Sequence, residues 1–118
     1  MTLNEVLSEC DELVKEYKAG AYLTTESLRK VLRELSANHY LITKENVDSY
    51  EDWNNYVYIL TKNKENSVSG AKIKADKRNP ELRMTRKILE TLEHVIWSIK
   101  SEISTLNKDV KPFQNYDQ

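Results

Sequence analysis

The chain has 118 residues, 31% of them charged, a formal net charge of −1, one cysteine, two glycines and two prolines. That length suits one domain with a modest core, and so few helix breakers among so many Leu, Glu, Lys and Asn point to an all-α chain. A single cysteine excludes an internal disulfide, and no apolar run approaches the ~20 residues a membrane span needs.

The first helix is expected over about 3–18. Thr2 and Glu5 have the spacing of a capping box, and Leu3, Val6, Cys10, Leu13 and Tyr17 repeat at threes and fours, with Leu7 and Val14 alongside. Gly20 is placed to end it. Cys10 falls in the apolar seam and reads as a small buried hydrophobe rather than a reactive thiol. Nothing in residues 1–5 has the basic and apolar regions of a signal peptide, so an intracellular, cytoplasmic protein is expected.

A second helix begins after Thr24 or Thr25, with Leu28, Val31, Leu32 and Leu35 on its apolar face. The seam turns polar near His39 and Asn46, then apolar again at Trp53, Tyr56, Val57 and Leu60. Two readings stand: one helix over about 26–62, or two that break near Asn46 to Ser49, where Ser49 and Asp52 could cap a fresh start. Without Gly or Pro to force a break, the continuous helix is favoured. The polar interruption then marks a crossing with a partner or a face in water.

Residues 63–70 read as a loop, and residues 71–78 as a short helical or irregular connector. A third long helix is expected over about 80–108, with Asn79 as N-cap, Pro80 at the first position and Glu81 in the first turn. Leu89, Leu92, Ile96, Ile99, Ile103, Leu106 and Val110 alternate at threes and fours, a coiled-coil-like seam that Ile88 and Val95 widen. Residues 1–110 are thus expected to form one helical bundle of three to four helices, and 111–118 a tail that frays or docks through Phe113 and Tyr116. The long apolar stripe overhangs a first helix of about 17 residues. The overhang must be covered by the second helix or by another copy; a homo-oligomer covering Leu92, Ile96, Ile99, Ile103 and Leu106 is expected, with Trp97 at an interface.

The near-zero net charge hides a segregation. Residues 1–61 carry six basic and eleven acidic side chains, residues 62–87 nine and three, and residues 88–118 three and five. The basic segment contains Lys62, Lys64, Lys72, Lys74, Lys77, Arg78, Arg83, Arg86 and Lys87. Arg83, Arg86 and Lys87 share one helix face, and Lys77 and Arg78 precede a helix start, whose backbone donors suit phosphate. Such a patch gives a salt-dependent, sequence-independent affinity for nucleic acid. The plainer alternative is that it neutralises acidic segments of the same chain or of another copy. Aromatics lie just upstream at Tyr50, Trp53, Tyr56 and Tyr58. Trp53 and Tyr56 fit the core, whereas Tyr50 and Tyr58 are the candidates for stacking on single-stranded bases.

Chemistry of other kinds has little support. His39 and His94 lie on different helices, and Glu90 and His94 are four apart rather than the three of a di-metal Glu-x-x-His motif. There is no Gly-rich phosphate loop and no nucleophile elbow. Neither an enzyme, a metal nor a cofactor is expected.

Lys74-Ala75-Asp76-Lys77 leading into the long helix, and Ser98-Ile99-Lys100-Ser101 near its end, resemble the C-terminal half of the UvsY-type recombination mediators of T-even-like phages. The likeness covers roughly 73–110 and extends to the outline: a middle helix bearing Tyr and Trp, a basic connector and a final long helix. It implies a ring-like homo-oligomer that binds single-stranded DNA and helps load a recombinase. The basic and aromatic residues do not match the family's one to one, so the resemblance transfers no individual site residue. The competing expectation is a protein-interaction module, such as a small phage inhibitor of a host defence enzyme, whose Glu5, Glu9, Glu12 and Glu16 could mimic nucleic acid. These four equally suit an ordinary solvated helix face.

Overall fold

The computed structural model describes residues 2–63 and 66–115, with side chains through Lys108. Among these, the chain forms four α-helices and no strand: α1 (Leu3–Lys18), α2 (Thr25–Lys62), α3 (Val68–Arg78) and α4 (Pro80–Asn115). The fold is all-α. The residues expected to make one domain group into two compact units, Met1–His39 with Thr91–Gln118, and Tyr40–Glu90.

Local sequence accounts for most helix ends. The Thr2 hydroxyl accepts from the Glu5 N–H at 3.3 Å and donates to the Glu5 carboxylate at 3.1 Å. At the other end of α1, Gly20 sits at φ +78°. Its N–H donates to the Tyr17 carbonyl, and the Ala21 N–H donates to the Glu16 carbonyl, which is a Schellman closure. Thr24 opens α2: its hydroxyl accepts from the Ser27 N–H at 3.0 Å, and Ser27 Oγ accepts from the Thr24 N–H at 3.1 Å.

The middle helix is unbroken. Along α2 one row of covered positions is Leu28, Val31, Leu35, Asn38, Ile42, Asn46, Ser49, Trp53, Tyr56 and Leu60, the first five buried and the rest half-buried. Their steps of three and four follow the helical period, so they form one face of α2.

Two expectations need correction. The loop over 63–70 gives way to helix from Val68, because Ser67 caps α3 by accepting from the Gly70 N–H at 3.1 Å. The last helix runs on through Asn115 instead of ending near 108, so residues 111–115 of the expected tail are helical. Pro112 removes one N–H donor, but its fixed φ is compatible with a helix. The side chains of Val110 and Phe113, and all of Tyr116, lie outside the described residues.

In the unit formed by Met1–His39 and Thr91–Gln118, Val6, Cys10, Leu13 and Val14 of α1 are buried, as are Leu28, Val31 and Leu35 of α2 and Leu92, Val95, Ile99 and Ile103 of α4. The α4 seam therefore passes through Val95. Ile96 is displaced to a half-buried position at the edge. Here the Tyr17 hydroxyl donates to the Glu102 carboxylate at 3.0 Å. The Cys10 thiol is 2% exposed. Burial pushes its pKa up, the neighbouring Asn38 side chain pulls it partly back, and the charge of Glu9 adds to the rise.

In the Tyr40–Glu90 unit, Ile42, Ala71, Ala75, Leu82 and Thr85 are buried. The small Ala71 and Ala75, four apart, are the face that lets α3 approach its neighbours closely.

Candidate nucleic-acid interface

The candidate site lies in the Tyr40–Glu90 unit, and polar bonds hold its three helical segments together. The Asn46 carboxamide donates to the Leu82 carbonyl at 3.1 Å and to Thr85 Oγ1 at 2.8 Å. Thr85 Oγ1 in turn donates to the Glu81 carbonyl at 2.7 Å. The polar interruption in the α2 seam is thus where α2 crosses the start of α4, within the same chain. The α3 segment is held to α2 by the Trp53 indole N–H, which donates to Asp76 Oδ1 at 2.9 Å, and by the Arg78 guanidinium, 4.4 Å from the Tyr56 ring centroid.

On this frame Lys72, Lys74, Lys77, Arg78, Arg83, Arg86 and Lys87 are all exposed. Lys62 is also exposed and stands 5.8 Å from the Tyr58 ring centroid; Lys64 lies outside the described residues. The cations occur on consecutive elements, α3 and the first turns of α4, with only Asn79 between them. Asn79 closes α3 through its N–H to the Ala75 carbonyl, and its own carbonyl accepts from the Leu82 N–H at 3.3 Å. Pro80 supplies no N–H at the α4 start, and Glu81 puts a carboxylate in its first turn. Anion attraction here therefore rests on the lysine and arginine side chains more than on the helix end.

The aromatic residues divide much as their spacing suggests. Trp53 and Tyr56 are half-buried and engaged with α3. Tyr58 is 62% exposed and Tyr50 47%. Tyr50 is already stacked on Trp53, with centroids 6.0 Å apart and planes at 21°, so one of its faces is taken. On α2 the two tyrosines are eight residues apart, about 12 Å along the axis.

The residues expected at an oligomer interface are placed differently from one another. Leu92, Ile99 and Ile103 are buried within the single chain, while Ile96 and Leu106 are half-buried. Trp97, expected at an interface, is 69% exposed. His39 Nε2 lies 3.4 Å from Glu93 Oε1, and His94 is exposed. Among the described residues no group of three or more His, Cys, Asp or Glu side chains is placed to hold a metal ion, and no helix is long and apolar enough to cross a membrane.

Spacing alone did not reveal two pairings: Asn46 with Thr85, 39 residues apart, and Trp53 with Asp76, 23 apart. The polar residues Asn46 and Thr85 at core-facing positions of two apolar stripes were the available signal. No protein-family model matches the chain, and comparison with characterised proteins and with solved structures finds no significant match.

Proposed function

We propose that this chain is a non-enzymatic, phage-type accessory protein that binds single-stranded DNA without sequence preference and assists recombination or replication. The observation that carries the reading is the basic run. Seven cations between Lys72 and Lys87 are exposed on two consecutive helices, in a unit that also presents the tyrosine faces of α2. Exposed lysines and arginines supply phosphate contacts, and exposed rings supply sequence-tolerant stacking. The resemblance of residues 73–110 to UvsY-type mediators supports the same reading, with a homo-oligomer as the working form and recombinase loading as its task.

The test is binding of a fluorescent single-stranded oligonucleotide at two salt concentrations, with Arg83→Glu/Arg86→Glu/Lys87→Glu beside the wild type. Binding that falls steeply with salt and is lost in the variant supports the reading. Absence of binding at low salt overturns it.

A second reading, a protein-interaction module such as an inhibitor of a host enzyme, is favoured by the exposed apolar side chains Tyr40, Leu41, Val47, Ile59, Ile73 and Met84 of the same unit. It expects no oligonucleotide affinity at moderate salt and tight pairing with one protein.

A further inference from the structure

The most exposed tryptophan of the chain lies in the other unit. Trp97 projects from α4 with two open clefts beside it. One, of about 320 Å³, is lined by Ser36, His39, Glu93, Ile96, Trp97 and Lys100. The other, of about 440 Å³, is lined by Trp97, Lys100, Ser101, Ser104, Thr105 and Lys108.

The second cleft has a distinct chemistry. Its other five lining residues follow Trp97 at steps of 3, 4, 7, 8 and 11, so the six form one stripe of α4. The stripe contains one indole, three hydroxyls and two ammonium groups, and among the described residues no carboxylate lines it. The Thr105 hydroxyl donates to the Ser101 carbonyl at 3.0 Å, which leaves its oxygen to accept. An exposed indole with Lys100 one turn and Lys108 three turns beyond it on the same stripe suits a planar, anionic ligand, although Glu93 lines the other cleft beside it. Its face offers a stacking platform, and Lys100 and Lys108, about 12 Å apart along the helix, bracket the cleft with positive charge.

We propose that this groove is a second contact for single-stranded nucleic acid, in which one base stacks on Trp97 and the adjoining phosphates pair with Lys100 and Lys108. The proposal rests on the single-strand-binding reading but uses no residue of the basic run. Charge selects this occupant: the cleft is cationic and hydroxyl-lined, whereas a face made to pack on another copy of the chain would continue the apolar seam.

The experiment titrates oligothymidylate into the full chain and follows tryptophan emission and fluorescence anisotropy in parallel. The wild type is compared with Trp97→Ala, Trp97→Phe and Lys100→Glu/Lys108→Glu, each checked for native helicity by circular dichroism. The oligonucleotide should quench wild-type emission, and Trp97→Phe should remove most of that quenching. Trp97→Ala should weaken binding about five- to 150-fold, as the loss of one stacked base implies, and Trp97→Phe should lose less. The double lysine variant should flatten the salt dependence. Oligonucleotide binding that ignores Trp97→Ala overturns this inference and leaves the reading of the basic run standing. No binding by the wild type overturns both. A wild type that sediments as a dimer and becomes monomeric on Trp97→Ala assigns the groove to a second copy and also overturns the inference.

Discussion

The Asn46 carboxamide lies 2.8 Å from Thr85 Oγ1, and this bond joins two helices at the point where both apolar seams turn polar. Thr85 is fully buried and Asn46 half-buried, so the Thr85 hydroxyl cannot exchange the bond for water without opening the unit. Such a pair favours one register, because sliding either helix by a turn would leave polar atoms facing apolar neighbours.

Removing both partners should therefore cost less than the two single losses added together. Asn46→Ala is expected to destabilise by about 1–2 kcal/mol, since it withdraws the donor that Thr85 and the Leu82 carbonyl share. Thr85→Val should cost a similar amount, and the double variant less than the sum. Urea denaturation of all four proteins in a double-mutant cycle measures the coupling; additive losses would show that the bond contributes nothing of its own.

The Trp53–Asp76 bond makes a separate prediction about α3. With Asp76→Ala the indole N–H loses its acceptor, and α3 retains the small buried face of Ala71 and Ala75 together with the Arg78–Tyr56 contact. The Trp53 indole proton should then exchange with solvent markedly faster, as NMR hydrogen exchange would show, while global stability falls by about 1 kcal/mol. Unchanged exchange would mean that the bond is not populated in solution.

Much of this architecture was legible in the chain itself. The capping pair at Thr2 and Glu5, the stop at Gly20 and the two long seams all rest on short-range rules of spacing and backbone freedom. The start of α3 was not, because Ser67-Val68-Ser69-Gly70 has the composition of a turn, and only the Ser67 cap onto the Gly70 N–H makes it a helix start. Nor was the choice between Val95 and Ile96. Adjacent apolar residues both satisfy a repeat of threes and fours, and packing against α1 and α2 decides which turns inward. In the candidate site the cations were visible as a run, but their partners were not: Tyr56 reaches Arg78 only through the fold.

That choice between neighbours can be measured. Ile99→Ala empties a fully buried position and should cost about 2–5 kcal/mol, whereas Ile96→Ala at the half-buried edge should cost distinctly less. Thermal unfolding of the two variants, with sedimentation to follow the oligomeric state, separates a seam spent inside the chain from one shared with another copy. Equal losses at the two positions would contradict the observed packing.

Alkaline titration should single out Tyr22. Its hydroxyl donates to the Glu16 carboxylate, and that bond, with burial and the charges of Glu16 and Glu34, holds its pKa up at about 12. Tyr17 is also raised, by burial first and then by its bond and charge interaction with Glu102. A group whose pKa is higher in the folded state stabilises fully below its ordinary value, near 10 for tyrosine, and loses that contribution as pH climbs through the folded value. Stability should therefore decline from about pH 10 towards 12, and Tyr22→Phe should soften the decline. A tyrosinate absorbance titration in which Tyr22→Phe leaves the latest-ionising component intact would refute the assignment.

For the basic run, each lysine that meets a phosphate should lower the slope of log affinity against log salt by about 0.7 when removed. Lys74→Ala/Lys77→Ala is expected to reduce the slope by about 1.4 if both lysines meet phosphate, with equal effects on oligonucleotides of different sequence. A slope identical to that of the wild type would place both side chains outside the contact.

Cys10 gives the molecule a clock that needs no engineering. It is the chain's one thiol, it sits in the core of the Met1–His39 and Thr91–Gln118 unit, and burial disfavours its reactive thiolate. A maleimide or disulfide reagent added to the native protein can modify it only during the moments when that unit opens. The rate of modification therefore counts those openings under native conditions. With Trp97 of the same unit as Cys10 replaced by Phe, Trp53 supplies an optical signal from the Tyr40–Glu90 unit alone, so the breathing of one half can be timed while the other is watched.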